Sequence, residues 1–294
     1  VAKFDPQGTH LWIVQFGTPA DDYIEAIAVD KKYGFVYAAG WTGGSMPGGV
    51  EQSVNSPGNA SAGGTDFFLA KIHDSGTVRW IRQHGTAGED FAAGVATDSS
   101  GRIYVVGSTS GSIDGETNPA GYSDAYVMQF DATGVRMATH QFNVAATPLN
   151  TNAYGVAVDS TSARGDYIVV TGWAQGYENG SLFVARFDAW LQTVKMVALG
   201  GVNNGSNFDT GRSVAIDSKG NVIVAGSTSG AFYGNAWAGA EDIAVVKLTS
   251  GLTVLWTRQF GTDSNDSGYG VAVDAVDSIY VTGITGYPAA SGGL

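Results

Sequence analysis

The chain has 294 residues, of which 44% are hydrophobic, 14% are charged, 43 are Gly and none is Cys. The absence of Cys excludes a disulfide framework and any Cys-ligated zinc or iron–sulfur site, and the apolar and aromatic content excludes disorder. A net charge of −12 argues against nucleic acid as a partner, because phosphate binding needs Lys/Arg patches, and against docking on anionic lipid.

No apolar run reaches about 18 residues, so no membrane insertion by a helix is expected. The opening VAKFDPQGTHLW lacks the pattern of a signal peptide. Gly is scattered without a G-X-Y period, which excludes collagen. With abundant Tyr, Val and Thr, it points to short strands joined by tight turns.

In chain order, VAKFDPQGTHLWIVQFGT reads as two strands around a turn, followed by the loop GTPADDY from Gly17. An apolar hairpin, AIAVDKKYGFVYAAGWT from Ala26, leads into an insertion from Gly43 to Gly64, rich in Gly, Ser, Asn and Pro, with Glu51 as its only acid. TDFFLAKIHDSG from Thr65 and TVRWIRQHGT from Thr77 complete a unit. The cycle restarts with GTAGEDF from Gly85, GVATDSSGRIYVVGST from Gly94, SDAYVMQFDATG from Ser123 and HQFNV from His140. A third unit runs through NTNAY from Asn150, GVAVDSTSARGDYIVVTGWA from Gly155, SLFVARFDAW from Ser181 and a weaker TVKMVALGG from Thr193. The fourth holds NNGSNFDTG from Asn203, SVAIDSKGNVIVAGST from Ser213, AFYGNAWAG from Ala231, EDIAVVKLTSG from Glu241 and TVLWTRQFGT from Thr253. The last has GTDSNDSGYG from Gly261 and GVAVDAVDSIYVTGIT from Gly270, and stops where the next phrase is due.

Four candidate strands every 60 residues or so are the mark of a β-propeller blade. The expected fold is all-β: a five-bladed β-propeller of four-stranded antiparallel blades, forming one domain over 1–294. The blades fall near 19–80, 81–140, 141–198, 199–256, and 257–294 joined with 1–18. The head continues the tail, so the N- and C-terminal strands are expected to share a blade and close the ring, removing free sheet edges. The rivals are a right-handed β-helix, two separate sandwiches, and a segment of a longer array.

The phrases G-V-A-V-D, D-x-x-G-N-x-Y-V-x-G-x-T, D-A-Y-V or D-F-F-L, and L-W-T-R-Q-F-G-T resemble the SBBP-type β-propeller repeat and, more distantly, the NHL repeat. The resemblance implies a module of secreted or cell-surface proteins acting as a binding or structural platform. It carries no catalytic set, and its usual seven blades do not transfer to a chain with material for five.

Several residues are candidate site groups. The Asp- and Asn-rich loops place Asp22, Asp90, Asn152, Asp209 and Asp266 at equivalent positions before the inner strands. They read either as turn caps or as ligands for Ca2+, which takes six to eight oxygens. Asp263, Asn265 and Asp266 make the best metal candidate, although they lack the distal Glu of an EF-hand. Asp30, Asp98, Asp159, Asp217 and Asp274 end the inner strands and read as turn formers. Trp12, Trp80 and Trp256 match in position and read as core. Trp41 and Trp173 break the repeat, standing where other units have Ser108, Ser227 and Ile284. With Tyr233 and Trp237 they are the candidate ligand-binding aromatics. Phe232 matches Met46 and Ile113 and reads as core.

No catalytic arrangement is legible. Glu25, Glu89, Glu116, Glu178 and Glu241 form no carboxylate pair by sequence. His10, His73, His84 and His140 are spread across the units. The expectation is therefore a non-enzymatic extracellular or cell-surface module that recognises a glycan or protein partner through loop aromatics, with Ca2+ as the only cofactor in view. The alternatives are self-association into a surface layer or fibre and, further off, a glycan or phosphoester hydrolase.

Overall fold

The computed structural model describes residues 1–30, 32–50, 60–113, 115, 118, 121–144, 149–160, 166–176, 181–200 and 208–286. The chain divides into two compact units, Val1–Gln141 and Phe142–Leu294. Among the described residues every regular element except one short 3-10 turn, Phe232–Gly234, is a strand, and no helix is long and apolar enough to cross a membrane.

The first unit opens with β1 (Ala2–Phe4) and β2 (His10–Ile13), paired as a two-stranded sheet. A four-stranded sheet follows in sequential order: β3 (Asp22–Asp30), β4 (Phe35–Thr42), β5 (Asp66–His73) and β6 (Val78–His84). The next is β7 (Asp90–Thr97), β8 (Ile103–Thr109), β9 (Asp124–Phe130) and β10 (Arg136–Phe142). The second unit repeats the plan with β11 (Thr151–Asp159), β12 (Tyr167–Ala174), β13 (Ser181–Asp188) and β14 (Thr193–Leu199). Then come β15 (Asp209–Ile216), β16 (Val222–Thr228), β17 (Asp242–Leu248) and β18 (Val254–Phe260). It ends in a two-stranded sheet of β19 (Ser267–Val273) and β20 (Ile279–Ile284). The all-β fold and the four-stranded antiparallel blades expected from the repeat are present. The weakly matching TVKMVALGG still forms β14, pairing with β13 from Leu182↔Leu199 to Phe187↔Thr193.

The middle strands explain the apolar runs. β9, β16 and most of β8, β12 and β17 are buried along their length, because a blade is covered on both faces and period-2 alternation is lost there. One core cluster gathers Tyr37, Leu69, Trp80, Val105, Met128 and Phe130. Another gathers Val169, Val184, Val224, Phe232, Val246 and Leu248. Each such side chain contributes about 1.5–3 kcal/mol by leaving water. Phe232, Met46 and Ile113 are all buried, as their matching positions imply. Trp80 is buried, whereas Trp12 and Trp256 are only half-buried.

The turns follow from the D-x-x-G phrase. Asp98 Oδ1 accepts from the Ser100 and Arg102 N–H groups, and Asp217 Oδ1 from those of Lys219 and Asn221. Asp274 does the same for Val276 and Ser278, and Asp30 for Lys32 and Tyr33. These Asx turns are the turn-forming role expected of the strand-ending aspartates. The turn after Asp159 lies outside the described residues. Three turns place a non-glycine at the left-handed position: Leu191, Leu252 and Asp277 have φ of 59°, 57° and 65°.

Candidate binding surface at the inner-strand bulges

Every first strand of a blade carries a bulge. The register slips between Ile24 and Ala26 in β3, Ala92 and Gly94 in β7, and Ala153 and Gly155 in β11. It slips again between Gly211 and Ser213 in β15, and between Gly268 and Gly270 in β19. One residue per strand is left without a cross-strand partner: Glu25, Ala93, Tyr154, Arg212 or Tyr269. A bulge re-aims such a side chain. The glycine of the V-x-G-x-T phrase makes it possible. A Cβ at Gly40, Gly107, Gly172, Gly226 or Gly283 would lie 1.7–2.1 Å from the carbonyl oxygen of Tyr23, Phe91, Asn152, Thr210 or Ser267, so no larger residue fits.

The five bulge residues are of four kinds, Tyr occurring twice, whereas the strands around them repeat. In the second unit they form a row. The Arg212 guanidinium carbon lies 5.5 Å from the Tyr154 ring centroid and 5.1 Å from that of Tyr269, a cation within cation–π range of both rings. Burial pushes the Tyr154 hydroxyl up in pKa, opposed by the Arg212 charge and an Asn152 hydrogen bond. Arg212 Nε is buried and has no hydrogen-bond partner. In the first unit Glu25 instead accepts from the Trp41 indole N–H at 3.1 Å.

Two of the aromatics singled out by sequence, Trp41 and Trp173, sit beside these bulges. Trp41 stacks on Tyr23, with centroids 4.3 Å apart, and meets Phe91 edge-on. Trp173 stacks almost parallel on Phe208, with centroids 5.5 Å apart and planes 6° apart. Phe208 remains 50% exposed. Tyr233 and Trp237 lie between β16 and β17 and are 48% and 45% exposed, Tyr233 at φ 51°. The sequence reading missed the bulge residues themselves, and it missed Trp190, 79% exposed in the turn between β13 and β14.

Asp263 and Asn265 are exposed in the loop before β19, whereas Asp266 is buried. Asp266 Oδ2 accepts from the Thr262 N–H at 2.6 Å, and Asp22 and Asp90 cap Thr18 and Thr86 in the same way. Desolvation raises the Asp90 carboxyl in pKa, offset in part by hydrogen bonds from Thr109 and Thr86. Among the described residues no three His, Cys, Asp or Glu side chains are grouped to hold a metal. In three sheets the loop between the second and third strands is tied down by a glutamine the sequence reading did not single out. Gln83 Nε2 donates to Asp66 and to the Gly44 carbonyl, and its Oε1 accepts from the Met46 N–H. Gln141 and Gln259 repeat this with Asp124, Gly111 and Ile113, and with Asp242, Gly230 and Phe232.

The described glutamates are engaged singly. Glu89 accepts from the Thr65 N–H, and Glu241 from the Ser267 hydroxyl. Glu51, Glu116 and Glu178 lie outside the described residues.

The family profile described as "SBBP: Beta-propeller repeat" matches residues 79–114 and 255–286. Two segments of the chain are thus similar to SBBP β-propeller repeats. The matched segments run from the fourth strand of one blade into the first two of the next (β6–β8 and β18–β20), where the bulges lie. No curated protein matches the chain. Two solved structures are similar at low identity. A protein of unknown function from Bacteroides caccae is 11% identical, with 87% of this chain and 73% of that one covered and a TM-score of 0.44. Sqt1 from Chaetomium thermophilum is 15% identical, with 86% and 64% covered and a TM-score of 0.39.

Proposed function

We propose that the protein is a non-enzymatic binding module of the cell surface or extracellular space, contacting a glycan or protein partner where the inner strands begin. One observation carries this reading: a repeated scaffold presents, at one position per inner strand, side chains that vary from Glu and Ala to Tyr and Arg. Exposed aromatic faces stand near them in Phe208, stacked on Trp173, and Tyr23, stacked on Trp41. Function on variable positions over a rigid frame is the usual arrangement of binding scaffolds. Glycan-array and pull-down screens with the wild type and with Trp173→Ala are the test. A ligand retained by the wild type and lost by the variant is expected; screens without any ligand would overturn the reading.

The proposal includes closure of a five-bladed ring by β19–β20 and β1–β2 as one blade. Val95 and Val214 are each 8% exposed, but their equivalent in β3, Ile27, is 58% exposed. Leu11, Ile13, Tyr280 and Ile284 are likewise more than half exposed. A blade built from both chain ends would cover such faces. Hydrogen exchange tests it: the outward amides of β1 and β20 are expected to be protected, and exchange at the rate of a free edge would refute closure.

Calcium enters the proposal at the loop before β19. Oδ1 of Asp242 and Oδ2 of Asp266 lie 2.5 and 2.8 Å from where a Cβ of residue 261 would stand, bringing two carboxylates to one place. A chelator is expected to lower the melting temperature; an unchanged value removes calcium from the account.

A further inference from the structure

We infer that the row Tyr154–Arg212–Tyr269, together with the Trp173–Phe208 pair, is a subsite for a carboxylate-bearing sugar, a uronic acid residue of an acidic polysaccharide. The inference rests on the binding-module reading above and names its ligand class.

The Arg212 guanidinium carbon lies within about 5.5 Å of two tyrosine ring centroids, and its N–H groups are the part of it that can donate to a ligand. A guanidinium edge offers parallel donors whose spacing matches a planar carboxylate. No acidic side chain pairs with Arg212 among the described residues. Its buried Nε–H lacks an acceptor, so no internal partner holds the guanidinium at that atom, and an unmet buried donor is costly. The two ring contacts restrain the guanidinium before any ligand arrives, which lowers the ordering cost of binding.

The rest of the row selects the ligand. Phe208 lies four residues before Arg212, at the entrance to β15, and is backed by Trp173 at near-parallel planes. Its half-exposed ring is flat, apolar and rigid, a platform for the C–H face of a pyranose. Tyr269 is 48% exposed and carries a hydroxyl for a ring oxygen or hydroxyl group. A flat apolar platform at the entrance to the strand that carries the guanidinium suits a ring that bears its carboxylate rigidly, and suits the mobile side chain of an acidic peptide less well. The equivalent bulge residues of the first unit, Glu25 and Ala93, carry no positive charge, so one subsite per chain is expected.

The test is calorimetric titration with trimers of galacturonate, glucuronate and mannuronate, their carboxyl-reduced neutral counterparts, a Glu-rich peptide and inorganic sulfate. At least one uronate trimer is expected to bind about tenfold or more tighter than its neutral counterpart. Arg212→Gln and Arg212→Lys are expected to remove that preference, because Lys keeps the charge but not the fork. Trp190→Ala, in a hairpin turn away from the bulges, leaves it unchanged. Melting temperatures identify any variant that has not folded, and the Lys variant serves if the Gln variant fails. Neutral and acidic trimers binding alike would overturn the inference while leaving a glycan-binding module standing. No trimer bound, or only the peptide or sulfate bound, would overturn it as well. An empty glycan array and pull-down would sink the broader reading separately.

Discussion

Replacing Asp217 tests whether the strand-ending aspartates serve turn geometry. Its side chain is fully buried, and Oδ1 accepts from the Lys219 and Asn221 N–H groups. Oδ2 accepts from the Asn221 amide and pairs with Lys247 Nζ at 2.7 Å. Burial opposes the charge, but the Lys247, Asn221 and turn N–H contacts outweigh it and hold the carboxyl down to about 2. Against an ordinary value of 3.8, a depression of that size corresponds to roughly 2 kcal/mol of stability. Because the folded pKa is the lower one, this stability is complete above the unfolded value and is lost as the pH falls through the folded one. Asp217→Asn keeps an acceptor for the turn and is expected to cost roughly 2 kcal/mol near neutral pH. Asp217→Ala also strips the turn N–H groups of their acceptor and is expected to cost about 3 kcal/mol. Urea unfolding followed by tryptophan fluorescence measures both. Repeated near pH 2, the gap between the wild type and Asp217→Asn should close. A neutral-pH loss below about 0.5 kcal/mol, within the range of ordinary surface substitutions, would refute the account.

Other perturbations probe different parts of the fold. Gly261→Ala would place a Cβ 2.5 Å from Asp242 Oδ1 and is expected to destabilise by about 1–3 kcal/mol, as overpacking does; thermal unfolding reads it. Leu252→Gly relieves a left-handed backbone at φ 57°, worth about 1–2 kcal/mol. It also removes a side chain only 3% exposed, so no net stabilisation is expected in urea titration, and a clear gain would show that Leu252 contributes no packing. Gln259→Ala leaves the Phe232 N–H and Asp242 without a shared partner, and a loss of about 1–3 kcal/mol is expected. Trp173→Ala should cost less stability than Trp80→Ala, since Trp80 is 2% exposed in a core cluster; comparable melting shifts would contradict this ranking.

Much of the local structure is written in the residues. The D-x-x-G turns and the hairpins they close depend on contacts within a blade, between positions that recur with the repeat. Even the cap of Thr262 by Asp266 spans only four residues. The blade glutamines are also visible as the recurring Q of R-Q-H, H-Q-F and R-Q-F, but the repeat alone does not say what they hold. Aromatic side chains draw notice in a sequence and single polar ones do not, so Trp41 and Trp173 were legible and Arg212 was not.

The bulges were decided at the level of tertiary structure. A one-residue slip reverses which face a side chain takes, and nothing in the alternation of β15 marks Arg212 as the residue left over. Its placement between Tyr154 and Tyr269 joins three strands from successive blades, whose separation in sequence carries no trace of their nearness. By itself, the sequence determined that the chain would pleat, turn and pair in repeating four-strand sheets, because those steps are governed by neighbours. Which non-repeating side chains meet was set by how the sheets stack, because that contact exists only once distant strands lie side by side.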